Sequence, residues 1–531
     1  MSVGAADAVV VGAGPNGLAA ANHLADAGWS VLLLEAQDEV GGAVRSDREL
    51  HPDFVQDTFS AFYPLGAASP AMTALDLESY GLRWLHAPAV LGHPMPGGDW
   101  AMILRDRDAT CARMEAQHPG DGEAWADLCR TWDRIGEDLV HALMTPFPPV
   151  RAGLSMLARL RHVGGLSFVR MLLEPVTQLG ASRFGGLAPQ LLLAGNAGHA
   201  DIPLDAPGSG LMGVLMSMLA QTFGFPVPEG GAGELTRAMA RRLEARGGTI
   251  RCGARVERVL VRDGRAHAVR LADGEVVQAG RAVVADVVAP HLYGGLVHDD
   301  DLPPRTVQAM TRFQLDPGTV KVDWALDGPV PWASAPPVAP GTVHVADSVD
   351  SMVESLTQVG THTVPRRPFL LTGQMTTSDP SRSPAGTESF WAYTHVPQDT
   401  RRDAGDGVRG TWDHDDCQRM GDRIQAEMEA LAPGFGSLVR ERRVLGPREL
   451  QARDANLVGG AINGGTSQLH QELVFRPVPG LGRAGTPVKG LFLGSASAHP
   501  GGGVHGSAGT NAARAALAAD RRRSVWPGRR P

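Results

Sequence analysis

Gly12-Ala13-Gly14-Pro15-Asn16-Gly17 constrains this chain more than any other stretch. Such a glycine pattern is common in isolation, so its flanks decide what it means. Ala8-Val9-Val10-Val11 in front reads as a buried strand, and Leu18 to Ala27 behind reads as a helix of small residues. Ser30-Val31-Leu32-Leu33-Leu34 is a second buried strand, ending in Glu35, 18 residues past Gly17, with Gly41-Gly42 beyond. Strand, glycine turn, helix, strand and terminal carboxylate together make the βαβ dinucleotide unit. Glycines permit the tight turn and a close backbone approach to pyrophosphate. The helix N-terminus offers the phosphates free amides, and the carboxylate takes a ribose hydroxyl. The pattern predicts a nucleotide held by Gly12, Gly14, Pro15, Asn16, Gly17 and Glu35, with Ala36, Gly41 and Gly42 close by.

A chain of 531 residues exceeds one ordinary core, so two or more domains are expected. The net charge of −8 argues against a nucleic-acid partner, which needs a basic face. Cys111, Cys129, Cys252 and Cys417 are scattered, without a CxxC pair or metal-ligand spacing, and fit a reducing cytoplasm. Residues 1–7 carry no basic leader, so a secretory signal is not expected. Ala206 to Pro228 holds no charge, yet Pro207, Gly208, Gly210, Gly213, Gly224 and Pro226 interrupt it. It reads as a buried helix lining an apolar cavity, with Leu211, Met212, Leu215, Met216, Met218, Leu219, Phe223 and Phe225 as pocket material, rather than as a membrane span. Leu139 to Leu173 has no acidic residue and carries Arg151, Arg159, Arg161 and Arg170 among leucines and methionines. Two readings stay open for it: peripheral contact with an anionic membrane, or a solvent-facing lid.

Pro228 to Val297 continues the nucleotide unit, with a helix from Glu234 to Ala245 and short strands joined by hairpin turns at Arg262-Asp263-Gly264 and Ala272-Asp273-Gly274. Near the C-terminus, the strand Gly490-Leu491-Phe492-Leu493-Gly494 precedes a glycine-dense loop and a helix from Ser507 to Ala519, followed by a basic tail from Arg521. The expected architecture is α/β: a Rossmann-like domain assembled from 1–65, 228–297 and 446–531, and an inserted α+β substrate domain from 66–227 and 298–445. Strands are expected at Val320 to Leu326 and Ser389 to Tyr393, and a helix from Asp415 to Leu431. His298-Asp299-Asp300-Asp301 and Asp413-His414-Asp415-Asp416 read as helix starts and exposed loops, so no metal site is expected.

Only one complete fingerprint is present, which leaves no second site for NAD(P)H. Gly12 to Ser46, Pro228 to Asp286 and Arg476 to Ala513, above all Arg476-Pro477, Gly490-Leu491-Phe492-Leu493-Gly494 and His499-Pro500-Gly501-Gly502-Gly503-Val504, carry a family likeness. The chain resembles the phytoene desaturase and carotenoid isomerase group of FAD-dependent oxidoreductases, of the pyridine nucleotide-disulphide oxidoreductase domain-containing protein 2 type, in the flavin amine oxidase superfamily. The resemblance implies extended FAD, with Arg45 beside the diphosphate or flavin and the backbone of Val256 at the adenine. It places Gly494, Ser495 and Gly501, Gly502, Gly503 and Val504 at the ribityl chain and flavin ring. Amides of that last loop would stabilise reduced flavin. Two departures stand out: Ser495 replaces an acidic residue, and His505 replaces a proline. His505 is thereby a catalytic candidate if it sits beside the flavin, and otherwise a satisfied loop histidine. Flavin amine oxidases use a lysine, and Lys321 is the candidate here; alternation puts it on one strand face with Asp323 and Ala325.

The implied activity is hydride removal from a hydrophobic or secondary-metabolite substrate to flavin N5, with oxygen or a quinone reoxidising the flavin. Double-bond isomerisation and a non-catalytic FAD-binding scaffold remain as alternatives. Purified protein is expected to be yellow, and Gly14→Trp or Glu35→Arg to yield largely flavin-free protein, read from the visible spectrum. A colourless wild-type protein that cannot be reconstituted with FAD overturns this.

Overall fold

In a computed structural model of the chain, residues 6–146, 148 and 165–525 are described. Arg151, Arg159 and Arg161 of the basic stretch lie outside the described residues. Strands from three distant parts of the chain meet in one sheet. Ala6–Val11 pairs in parallel with Val31–Leu34 on one side and with Val276–Ala285 on the other. Thr249–Arg251 extends the parallel set beyond Val31–Leu34, and Leu491–Leu493 extends it beyond Val276–Ala285. The near-continuous apolar runs have their reason here, because both faces are covered. Val10, Leu33 and Val284 pack against the helices Pro15–Asp26, Gly233–Ala245 and Ser507–Val525. Val9, Leu32 and Val283 face Val259 and Val269 of the antiparallel hairpin Val256–Arg262 and Arg265–Leu271, whose second strand pairs with the start of Val276–Ala285. The basic run at Arg521 is not a tail: the closing helix continues through it, with the arginines on exposed last turns.

A second sheet has seven strands, in the order Val439–Leu445, Gly318–Leu326, Glu388–Val396, Leu370–Gln374, Pro340–Val345, Ala89–Pro94 and Trp100–Ile103. Its two faces differ sharply in chemistry. Val320, Val322, Trp324, Val343, Phe390 and Ala392 form a core with Met420, Ile424 and Met428 of the helix His414–Leu431. That helix starts on an Asp413 cap that accepts from the Asp416 amide, while the Asp416 carboxylate accepts from the amides of Arg409, Thr411 and Trp412. These acids are thus occupied with backbone amides at the helix start. Beyond the other face stand the helices Asp121–Met144, Leu187–Ala197 and Ser209–Phe223. Among the described residues no helix is long and apolar enough to cross a membrane.

A buried ion network ties the two sheets together. Arg382, with no exposed surface, donates to Asp57 and Asp379 at 2.9 Å each, and Asp57 also accepts from Ser46 Oγ and the Ala232 amide. Removing one partner of such a network leaves charge buried without compensation. Arg382→Met is expected to cost about 3–5 kcal/mol, read as a lower unfolding midpoint in urea; an unchanged midpoint would show the junction is held by packing alone.

Candidate active site

The Gly12 turn is built on the C-terminal edge of the parallel sheet, where open α/β sheets bind ligands. The Gly12 amide donates to the Leu34 carbonyl, and a Cβ at Gly17 would collide with the Gly12 carbonyl oxygen. No side chain among the described residues caps the helix Pro15–Asp26 at Gly14; Pro15 has no N–H and Gly17 gives its own to Asp286, so the Asn16 amide is left to a ligand, and the buried Asn16 Oδ1 has no partner among the described residues. Glu35 accepts from the amides of Ala13 (2.7 Å) and Gln37 (2.9 Å), which fixes its carboxylate beside the turn. These features suit a diphosphate with an adjoining ribose.

One cavity of about 930 Å³ starts here and runs to the second sheet. Gly12, Gly14, Pro15, Asn16, Glu35, Ala36 and Gly42 line its first part, with Val256. Ser495, Gly502, Gly503 and Val504 line its middle, and Lys321 lies at the far end. The remaining residues expected at the cofactor stand behind that wall. Gly17 donates its amide to Asp286, and Gly41 donates to the Ala13 carbonyl. Arg45 holds the carbonyls of Gly42 and Arg453 rather than entering the cavity. Gly494 donates to the Ala285 carbonyl, and Gly501 rests against Arg476. His505 does not line the cavity and takes the second of its two readings, a satisfied loop histidine. It is 1 % exposed, accepts from the Ser507 amide at Nδ1 and bonds the Gly501 carbonyl through Nε2, and burial lowers its pKa to about 4. The apolar helix is corrected in part: Met212, Met216 and Phe225 line the cavity, whereas Leu215, Met218 and Leu219 are ordinary core.

Two residues to which sequence reasoning gave no role organise the site. Arg476 is wholly buried and donates to the carbonyls of Ala496, Thr466 and Asn463 and to Glu472, so one guanidinium sets the loops under Gly501. Asp286 follows Ala285, which pairs with Val11, so the register brings its carboxylate to the Gly17 amide at 2.8 Å. The signal was the apolar run Val283-Val284-Ala285 ending in an acid, but only strand pairing places that acid at the fingerprint. Lys321 is 3 % exposed and pairs with Asp323 on its own strand face. Asp323 is held from the other side by Arg443 at 2.8 Å. Burial first, then Arg443, lowers the Lys321 pKa, against the opposing pull of Asp323.

A model of the flavin containing amine oxidoreductases matches residues 16–517. The chain belongs to that family. Family members and structures similar to it span nearly all of its length. The mouse pyridine nucleotide-disulfide oxidoreductase domain-containing protein 2 is 29% identical, over 96% of this chain and 92% of its own. The neurosporene-forming phytoene desaturase of Cereibacter sphaeroides is 25% identical, over 97% and 94%. An oxidoreductase from Methanosarcina mazei shares the fold with a TM-score of 0.61 at 16% identity, over 96% and 99%, and putrescine oxidase does so at 0.58 and 18%, over 97% and 99%. The protein is an FAD-dependent oxidoreductase.

Burial raises the Asp286 carboxyl from its ordinary 3.8 to about 7, with Asp454 and Glu35 adding to the rise. Stability contributed by neutral Asp286 is complete below pH 3.8 and is lost as pH rises through about 7. Asp286→Asn should therefore match the parent's thermal midpoint near pH 4 and exceed it by several degrees at pH 8 in FAD-free protein. A constant difference across that range would refute the shift.

Proposed function

We propose that the protein is a dehydrogenase or desaturase taking a hydride and a proton from a largely apolar substrate. One observation carries this reading: a single cavity joins the nucleotide fingerprint to an apolar chamber that contains a buried lysine. FAD, when bound, would supply the hydride acceptor at flavin N5, with oxygen or a quinone as the final electron acceptor. The rest falls to side chains. Gly12, Gly14 and Glu35 hold the nucleotide end, and the Gly502 to Val504 backbone holds the flavin end. Met212, Met216, Phe225 and Trp391 orient the substrate and exclude water. Lys321 Nζ, its pKa lowered by burial, is where the departing proton is held. The desaturase named among the relatives supports loss of hydrogen from a C–C bond.

Substrate delivery from a membrane surface is part of the proposal. Leu166 and Leu173 are exposed at 83% and 54%, on the helix Leu166–Leu173 that also carries Arg170. Anaerobic stopped-flow mixing tests the chemistry. A true substrate bleaches the flavin, and Lys321→Met slows bleaching at least tenfold without loss of bound FAD. Asp323 keeps Arg443 in that variant, so the strand stays paired. Product formed without net electron transfer would favour isomerisation instead.

A further inference from the structure

The cavity floor is the polar face of the second sheet, and its chemistry says more about the substrate than its volume does. On Gly318–Leu326 the inward residues are Thr319, Lys321 and Asp323; on Glu388–Val396 they are Trp391, Tyr393 and His395; on Pro340–Val345 they are Thr342 and His344. The register aligns Lys321 with Tyr393, Tyr393 with Leu371, and Leu371 with His344, so one row crosses four strands. A chamber shaped for a pure hydrocarbon would repeat the valine, phenylalanine and alanine of the opposite face.

The polar groups of this row are unspent. Thr319 and Thr342 line the cavity, and their hydroxyls have no hydrogen-bond partner among the described residues. Tyr393 lines it too, with its hydroxyl likewise unengaged among the described residues. Lys321 gives one N–H to Asp323 and keeps another free in its neutral as in its charged form, with Trp391 beneath it at 5.7 Å. His199, another lining residue, bonds His344 Nε2 through its own Nε2 at 3.0 Å. The His344 Nδ1 edge is packed against Gly195, where even a Cβ would collide, and it has no partner among the described residues. An orphaned acceptor costs less than an orphaned N–H. His344 therefore donates from Nε2, and His199 is left with a proton on Nδ1, a further donor at the cavity wall.

No free anion matches these donors on the floor. The Asp323 carboxylate is consumed by Lys321 and Arg443. The other acids on the cavity wall, Glu35, Glu257, Asp286 and Asp454, belong to the nucleotide end. An alkylammonium finds no anion here, and a hydrocarbon leaves the donors empty. We infer that the substrate is an apolar chain or ring bearing an acceptor oxygen, carbonyl or carboxylate, which Tyr393 and Lys321 receive while the apolar part lies against Met212, Met216 and Phe225. This inference rests on the oxidoreductase reading and names the substrate class for that same chamber.

Calorimetric titration of the FAD-loaded protein tests it with two carbon skeletons. Decane, 2-decanone, decanoate and decylamine form one series; propylbenzene, 4-phenyl-2-butanone, 3-phenylpropanoate and 3-phenylpropylamine form the other. In at least one series the ketone or carboxylate should bind tenfold or more tightly than both the hydrocarbon and the amine. Which of the two oxygen-bearing members wins distinguishes a carbonyl from a carboxylate substrate. Tyr393→Phe, close to isosteric, should weaken that member at least fivefold, leaving hydrocarbon binding and bound FAD unchanged. Equal or tighter binding of the hydrocarbon or amine in both series overturns the inference. So does failure of both oxygen-bearing members to bind, or a preference that survives the substitution. A protein that takes up no FAD would instead overturn the oxidoreductase reading, so the two failures are separable.

Discussion

The parallel register of Ala6–Val11 against Val276–Ala285 is the constraint on which the rest depends. Pairing Val10 with Val284 sets the Gly12 turn level with Asp286, although 274 residues separate the two positions. The same strand carries Leu491–Leu493 on its far edge, which brings the Gly501 loop to the fingerprint. A slip of one residue would exchange the two buried faces and take the Gly17 amide from its carboxylate acceptor. The cofactor cavity is thus a consequence of strand pairing, and its glycines are shaped by backbone proximity as much as by a ligand.

The second sheet solves a different problem. One face must bury valine, tryptophan and phenylalanine against the helix His414–Leu431, and strand alternation then sends every second residue to the other side. In an ordinary sandwich those residues would be apolar or wet. Here they are threonine, lysine, tyrosine and histidine enclosed over a chamber, and burial without partners is costly. Groups kept at such a cost make sense when a ligand completes their hydrogen bonds. The buried junction of Arg382 with Asp57 and Asp379 then keeps this floor in fixed relation to the nucleotide half.

Local signals were legible wherever chemistry and spacing are short-range. The strand, glycine turn, helix and Glu35 follow one another within 30 residues, and alternation alone put Lys321 beside Asp323. His505 shows where such reading stops. Its position in the loop is plain, but whether it faces a cavity depends on the Ser507 amide and the Gly501 carbonyl folding back onto it. Met216 and Met218 make the same point, since neighbours on one helix divide between the cavity wall and the core. The Arg521 run was misjudged because arginine is a good helix former, and nothing in its charge ends a helix.

By itself the sequence determined that the chain carries a dinucleotide unit, because those residues lie close enough for their spacing to be read, while FAD as its ligand came from the family resemblance. It also determined that the chain is a mosaic, since apolar strands of one type recur far apart. Only the tertiary structure decided that Asp286 meets Gly17, that Arg476 carries the loop, and that the chamber floor is polar. Each of these comes from strands or loops distant in the chain, and pairing between them leaves no local periodicity to read.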